Sequence, residues 1–298
     1  MIHTRRSFLH TTLAAALAPA ALRAQDKKAP LFKISLAEWS FHKALFAKEM
    51  KNTDFPVRAK KEFGIEGVEW VNQFWKDKAT DKAYLAELKK ICEGEGVTSV
   101  LIMCDGEGNL GDPDDAARDK AVENHRKWAE AAKFLGCHSI RVNAHTGEKG
   151  TREEQAKRAT DGLSKLNAIA EPLGIGVIVE NHGQLSSDGL WLSGVIKAIG
   201  SKNAGTLPDF GNFHEYDRYK GTDELMPYAK GVSAKSHDFN DKGEEIHTDY
   251  HKMMDICIKK HGYHGWVGVE YEGATISEAD GVKATKALLE KVRAEMSA

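Results

Sequence analysis

The stretch Gly174-Ile175-Gly176-Val177-Ile178-Val179-Glu180-Asn181-His182 decides the fold. A glycine punctuates the end of an amphipathic segment, a short apolar run follows, and an acid and an imidazole close it. Glycine ends a helix in the left-handed conformation at no steric cost. An apolar run bounded in this way reads as a strand buried on both faces. The unit recurs outward in both directions. Apolar runs lie at Lys33-Glu38, Gly67-Val71, Thr98-Cys104, Ser139-Asn143, Gly176-Asn181, Ala204-Asp209, Val232-Lys235 and Trp266-Glu270. Glycine exits stand at Phe63-Gly64-Ile65, Glu95-Gly96-Val97, Leu135-Gly136-Cys137, Leu173-Gly174-Ile175 and His261-Gly262-Tyr263. Helical patterns fill the intervals, among them Asp81 to Gly94, Asp114 to Leu135, Glu153 to Leu173, Tyr250 to His261 and Glu278 to Met296. Eight strands, each followed by a helix, predict an α/β fold of the closed (β/α)8 barrel (TIM barrel) type. An open doubly wound sheet is the rival. It lacks both a GxGxxG after the first strand and a phosphate-cradling GxxxxGK[ST].

The chain has 298 residues, and its 41% hydrophobic and 29% charged content excludes a disordered, collagenous or multi-span membrane protein. Forty-two basic against forty-four acidic side chains leave a net charge of -2, so no basic footprint for nucleic acid exists. The first 24 residues stand apart from the barrel domain expected over 25–298. Thr4-Arg5-Arg6-Ser7-Phe8-Leu9 precedes an uncharged run from Thr11 to Leu22. That run falls short of the roughly 20 apolar residues a membrane-spanning helix needs. Paired arginines, a short apolar centre and small residues near the exit resemble a twin-arginine export signal. Cleavage is expected after Ala24, with Ala20 as the rival, giving a periplasmic protein without a membrane span; an uncleaved anchor is the alternative. Export in the folded state favours a cofactor loaded beforehand. Cys92, Cys104, Cys137 and Cys257 form no CxxC pair, so buried free thiols are expected rather than a zinc ribbon or a disulfide framework.

Active sites of such barrels lie where the strands end. The fifth run ends in Glu180-Asn181-His182, the sixth in Pro208-Asp209-Phe210-Gly211-Asn212, the seventh in Lys235-Ser236-His237-Asp238, and the eighth in Glu270-Tyr271-Glu272. Unpaired carboxylates converging at a mouth repel one another and take up protons. A divalent cation removes that difficulty as the largest local charge. Glu180, Asp209, His237 and Glu270 form a mixed oxygen and nitrogen set suited to one manganese, magnesium, cobalt or zinc ion. Rim salt bridges for the two glutamates, a turn cap for Asp209 and a plain loop histidine are the competing roles. The first half of the chain is expected to shape a substrate pocket. Trp39, Phe41 and His42 follow strand one, while Glu69, Trp70, Phe74 and Trp75 end or follow strand two. Arg141, Asn143 and His145 belong to strand four, and His182 and Lys235 complete the set. Flat aromatic faces beside polar groups suit a sugar; core packing is the competing role.

These residues carry a resemblance. The segments VIVENHG, LPDFGNF and GWVGVEYEG are similar to those of the xylose-isomerase-like barrel family of sugar isomerases and epimerases. The likeness runs from Ile34-Ser35-Leu36-Ala37-Glu38-Trp39 to Glu270-Tyr271-Glu272-Gly273. It implies one divalent ion held by Glu, Asp, His and Glu on strands five to eight, with Glu180, Asp209 and Glu270 at matching positions. Strand seven departs from the family's His-x-Lys-Asp, reading Ser233-Ala234-Lys235-Ser236. Ser233 stands at the usual histidine position, and His237, His182 or water completes the set.

The implied chemistry is proton abstraction beside a sugar carbonyl, through an enediolate, with Glu180 and Glu270 exchanging the proton. Lys235 could hold an anion or a developing enolate. Epimerisation or isomerisation follows from where the proton returns. A keto-glycoside lyase or hydrolase shares the first step, and an exported carbohydrate-binding protein without turnover is the reading from a different class. An apurinic endonuclease would need more histidines and a basic groove. Neither oligomeric state nor the particular sugar is indicated.

Overall fold

The computed structural model describes residues 29–297. The export signal expected over 1–24 lies outside them. Eight parallel strands form one sheet: β1 (Lys33–Ala37), β2 (Gly67–Val71), β3 (Thr98–Met103), β4 (Ser139–Val142), β5 (Gly176–Glu180), β6 (Ala204–Leu207), β7 (Val232–Ser236) and β8 (Trp266–Tyr271). Their order is β6-β5-β4-β3-β2-β1-β8-β7, so the first strand pairs with the last but the ladder stops between β6 and β7. Pro208 explains the stop. It follows β6 directly and has no N–H to offer a neighbour. Isolated bridges take over, pairing Thr206 with Ala229 and Asp209 with Ser233. The amides of Ser233 and Phe210 donate to Pro208 O at 2.9 Å and Ser233 O at 3.1 Å. The ring therefore closes through a thin seam, and β6 is shorter than the run Ala204-Asp209 suggests.

The helices between the strands are α1 (His42–Phe46), α2 (Phe55–Phe63), α3 (Lys82–Glu95), α4 (Asp115–Leu135), α5 (Arg152–Ala170), α6 (Gly189–Ile199), α7 (Arg218–Leu225), α8 (Tyr250–Met254) and α9 (Glu278–Ser297). Local chemistry starts many of them. Asp81, Asp114, Thr151, Asp188, Asp217 and Asp249 each accept a backbone N–H of the first turn. Each such cap is worth about 1 kcal/mol. The expected exits at Gly96 and Gly136 adopt φ of +66° and +83°, in the left-handed region open to glycine. The helix from Tyr250 widens to a π-helix over Asp255–Lys260. The thiols of Cys92, Cys104, Cys137 and Cys257 are free and buried.

Strand alternation sends one set of side chains outward to the helices and the other inward. Phe55, Trp70, Ile102, Trp128, Leu163 and Val282 belong to the larger apolar core, and Val71, Leu101, Met103, Ile178 and Leu207 to a smaller one inside the ring. Close approach between layers fixes some glycines. A Cβ at Gly162 of α5 would stand 1.9 Å from the carbonyl oxygen of Leu110, a backbone atom in the loop after β3. Gly162→Ala is therefore expected to cost about 1–3 kcal/mol in urea unfolding, as overpacking does. An unchanged midpoint would show that the loop yields freely.

Candidate active site at the barrel mouth

Glu180, Asp209 and Glu270 come from β5, the turn after β6, and β8. One oxygen from each lies within 4.8 Å of the other two. All three are at most 2% exposed. Their fixation is local and specific. Asn212 Nδ2 donates to Glu180 Oε1 at 3.1 Å. The amides of Gly211 and Asn212 both donate to Asp209 Oδ1 at 2.8 Å. The Asn181 side chain donates to Asp209 O at 3.0 Å and accepts from its N–H at 2.8 Å, tying β5 to the turn. Ser233 Oγ donates to Glu270 Oε2 at 2.9 Å, so a hydroxyl from β7 holds that carboxylate.

Two buried cations face the group. Lys235 Nζ stands 3.1 Å from Glu270 Oε1, 3.2 Å from Glu272 Oε1 and 3.7 Å from Asp209 Oδ2. Arg141 lies 2.8 Å from both Asp105 Oδ1 and Glu180 Oε2. Desolvation raises the pKa of Glu180 and Asp209 above the carboxylate norm despite these cations. Glu270 is pushed up by burial too, but Lys235 and Arg141 outweigh it and hold it low. Asp209 Oδ2 is buried without a hydrogen bond, and Glu180 Oε2 meets Arg141 too obliquely to form one. Three converging buried carboxylates, two of them with an oxygen left without a hydrogen bond, are a hard-oxygen donor set, which fits a divalent cation.

Glu270 of this group lines a cavity of about 450 Å³, within the size range of small-molecule sites, while Glu180 and Asp209 are not part of its wall. Trp39, Arg141, Asn143, His145, His182 and Glu270 line it, as do Asp105 and Glu272. Asp105 accepts from Arg141 and Asn143 Nδ2 at 2.8 and 2.7 Å. Burial favours its neutral form, yet the Arg141 guanidinium prevails and draws its pKa down to about 2. A depressed carboxylate stabilises the fold above its unfolded pKa and loses that contribution as pH falls through the folded value. The shift corresponds to about 2 kcal/mol present at neutral pH. Wild-type stability is expected to fall by that amount between about pH 4 and 2 through this group. The Asp105→Asn variant should lack that part of the slope in acid-titrated urea unfolding, and identical slopes would remove the Arg141 pairing as its cause.

Several expected pocket residues lie elsewhere. His237 is outside the carboxylate group, with Nε2 3.8 Å from Glu272 Oε2 and a partly exposed side chain. Extension does not continue to it, because β7 ends at Ser236 and the His237 and Asp238 amides turn toward Glu245 Oε1. Trp70 faces the helices, donating to Ser99 Oγ at 3.0 Å and packing edge-on against Phe55 and Trp75. Trp75 and Phe41 are buried among the helices in the same way. Glu69 points inward but sits below the cavity, accepting from Ser35 Oγ at 2.5 Å, where burial pushes its pKa up to about 8. His42 stacks on Trp39 without reaching the cavity. Lys235 contacts the carboxylates and is absent from the cavity wall. Conversely, Asp105 and Glu272 were not among the expected residues. The two-residue period through Gly268, Glu270 and Glu272 carries the signal for the second.

Comparison with known proteins accords with this architecture. The family described as a xylose isomerase-like TIM barrel matches residues 57–293. No curated protein sequence matches the chain. Among solved structures, a D-tagatose 3-epimerase-like protein is 20% identical, with a TM-score of 0.71 over 90% of this chain and 100% of that one. The IolI protein, solved with a zinc atom, is 15% identical with a TM-score of 0.71, covering 89% and 99%. The 3-keto-D-glucoside 4-epimerase from E. coli is 16% identical with a TM-score of 0.65, covering 87% and 99%. At these identities the likeness establishes the fold.

Proposed function

Because the chain belongs to the xylose isomerase-like TIM barrel family, we propose that it is a metal-dependent sugar or keto-sugar isomerase or epimerase working by proton transfer beside a carbonyl. The convergence of Glu180, Asp209 and Glu270 within 4.8 Å carries this reading, and the 3-keto-D-glucoside 4-epimerase and the D-tagatose 3-epimerase-like protein of the same fold support it. Those three carboxylates would hold the ion, with His182 or water as the further donor. A divalent cation bound there would supply positive charge to a carbonyl oxygen and the hydroxyl beside it.

The chain's own groups do the rest. Glu180 and Glu270, on separate strands, remove and return the proton at the carbon next to the carbonyl. Return to the opposite face of that carbon gives an epimer, and return to the neighbouring carbon gives an isomer. Arg141 steadies Glu180, while Ser233 and Lys235 steady Glu270. Asp105, Asn143 and His145 offer acceptors and donors to the substrate hydroxyls.

Elemental analysis of the purified protein, followed by a sugar panel with manganese, magnesium, cobalt or zinc restored, tests the proposal. One ion per chain is expected, lost in Asp209→Asn. At a hundred times its Kd the ion should add about 2.7 kcal/mol to unfolding stability. A chain that takes up none of the four and gains no stability from any would overturn it.

A further inference from the structure

An aromatic cluster continues the cavity onto the rim. Trp39 lines the cavity and lies nearly parallel to Phe74, their ring centres 5.9 Å apart. Phe46 stands edge-on to both, at 5.9 Å from Trp39 and 5.1 Å from Phe74. Phe46 is 55% exposed, among the most exposed large apolar side chains of the described residues. Solvated aromatic surface costs free energy unless something covers it. Here Trp39 joins it to a polar cavity whose wall includes Glu270, and Gln73 is a further polar group of that wall.

Charge selects among possible occupants. The cavity wall carries four carboxylates, on Asp105, Glu107, Glu270 and Glu272, and a single permanent cation, Arg141. Arg141 is already paired with Asp105 and Glu180. Behind the wall Lys235 is held by Glu270 and Glu272 at 3.1 and 3.2 Å, and Lys127 by Glu107 at 3.1 Å, so a phosphate or carboxylate group on the substrate meets no unpaired cation in that wall. Lys76 approaches Gly106 from outside the wall and is the cation that could offset this.

We infer that the substrate is an uncharged glycoside of at least two rings: the reacting sugar sits in the cavity, and the apolar C–H face of the second pyranose ring covers the Trp39, Phe74 and Phe46 rim. The inference rests on the sugar-handling function proposed above and names its substrate class. The second ring adds stacking contact and brings no charge, so it gains affinity where a phosphorylated monosaccharide loses it.

Titration calorimetry of the metal-loaded protein with D-glucose, glucose 6-phosphate, cellobiose and maltose tests it. At least one disaccharide is expected to bind about tenfold more tightly than glucose, the equivalent of about 1.4 kcal/mol. Phe46→Ala, at an exposed position, should bring the ratio of the two affinities toward one. Asp105→Ala in the cavity wall should weaken both sugars, which locates them there. A ratio near one in the wild type, or a ratio that survives Phe46→Ala, overturns the inference and leaves the parent function standing. Tightest binding by glucose 6-phosphate, abolished in Lys76→Ala, overturns the uncharged class. Binding of no sugar at all removes the parent function and the inference together.

Discussion

Replacing Glu180 by glutamine is expected to lower turnover by about 10²–10⁴-fold, the range a positioned acid or base contributes. The substitution is close to isosteric. Its Oε1 can still accept from Asn212 at 3.1 Å and Arg141 retains Asp105 at 2.8 Å, but the new amide nitrogen faces Arg141 Nε where Glu180 Oε2 stood at 2.8 Å, so one ion pair is lost with the charge. What disappears is a carboxylate able to carry a proton. The measurement is incorporation of solvent deuterium beside the carbonyl, followed by NMR with a sugar that the wild type converts. Urea unfolding should show a cooperative transition at a lower midpoint than the wild type, because the buried Arg141 pair is lost, so turnover is compared where the variant is fully folded. A stable variant with full exchange and full turnover would take Glu180 out of the chemistry. Retained exchange without product would instead place the loss at proton return.

Lys235→Met should have the largest effect on stability. Lys235 is 2% exposed, and three carboxylates stand within 3.7 Å of its ammonium. Removing one partner from a buried charge group costs about 3–5 kcal/mol, because the others remain buried without compensation. The deficit should appear in urea unfolding with a chelator present. It should shrink when a divalent cation is restored, since the added charge takes over part of the role of the ammonium. A deficit below about 1 kcal/mol, the scale of an exposed pair, would make Lys235 a bystander. That result would also weaken the view that the mouth concentrates negative charge.

Much of this was legible before any coordinates. Eight apolar runs and their glycine exits suffice for the strands, since a parallel barrel buries both strand faces and writes them as continuous hydrophobic segments. Glu180, Asp209 and Glu270 stand out because each interrupts such a run at its C-terminal end. Reading failed where direction mattered more than position. Trp70 and Glu69 are neighbours on β2, and alternation alone sends the tryptophan to the helices and the glutamate into the ring. His237 looks close to the site when counted along the strand, but the Glu245 carboxylate turns the backbone away one residue after β7 ends. Arg141 reaches both Asp105 and Glu180, a pairing across three strand ends that no spacing rule announces.

The thin seam between β6 and β7 has a consequence for the life of the molecule. Glu180 and Asp209 stand on one lip of that opening, and Glu270, with Lys235 and Ser233, on the other. Whatever draws these acids together also clasps the two lips, so a filled mouth and an intact ring become a single mechanical property. The last stitch of the cylinder is thus sewn by the same acids that converge at the mouth.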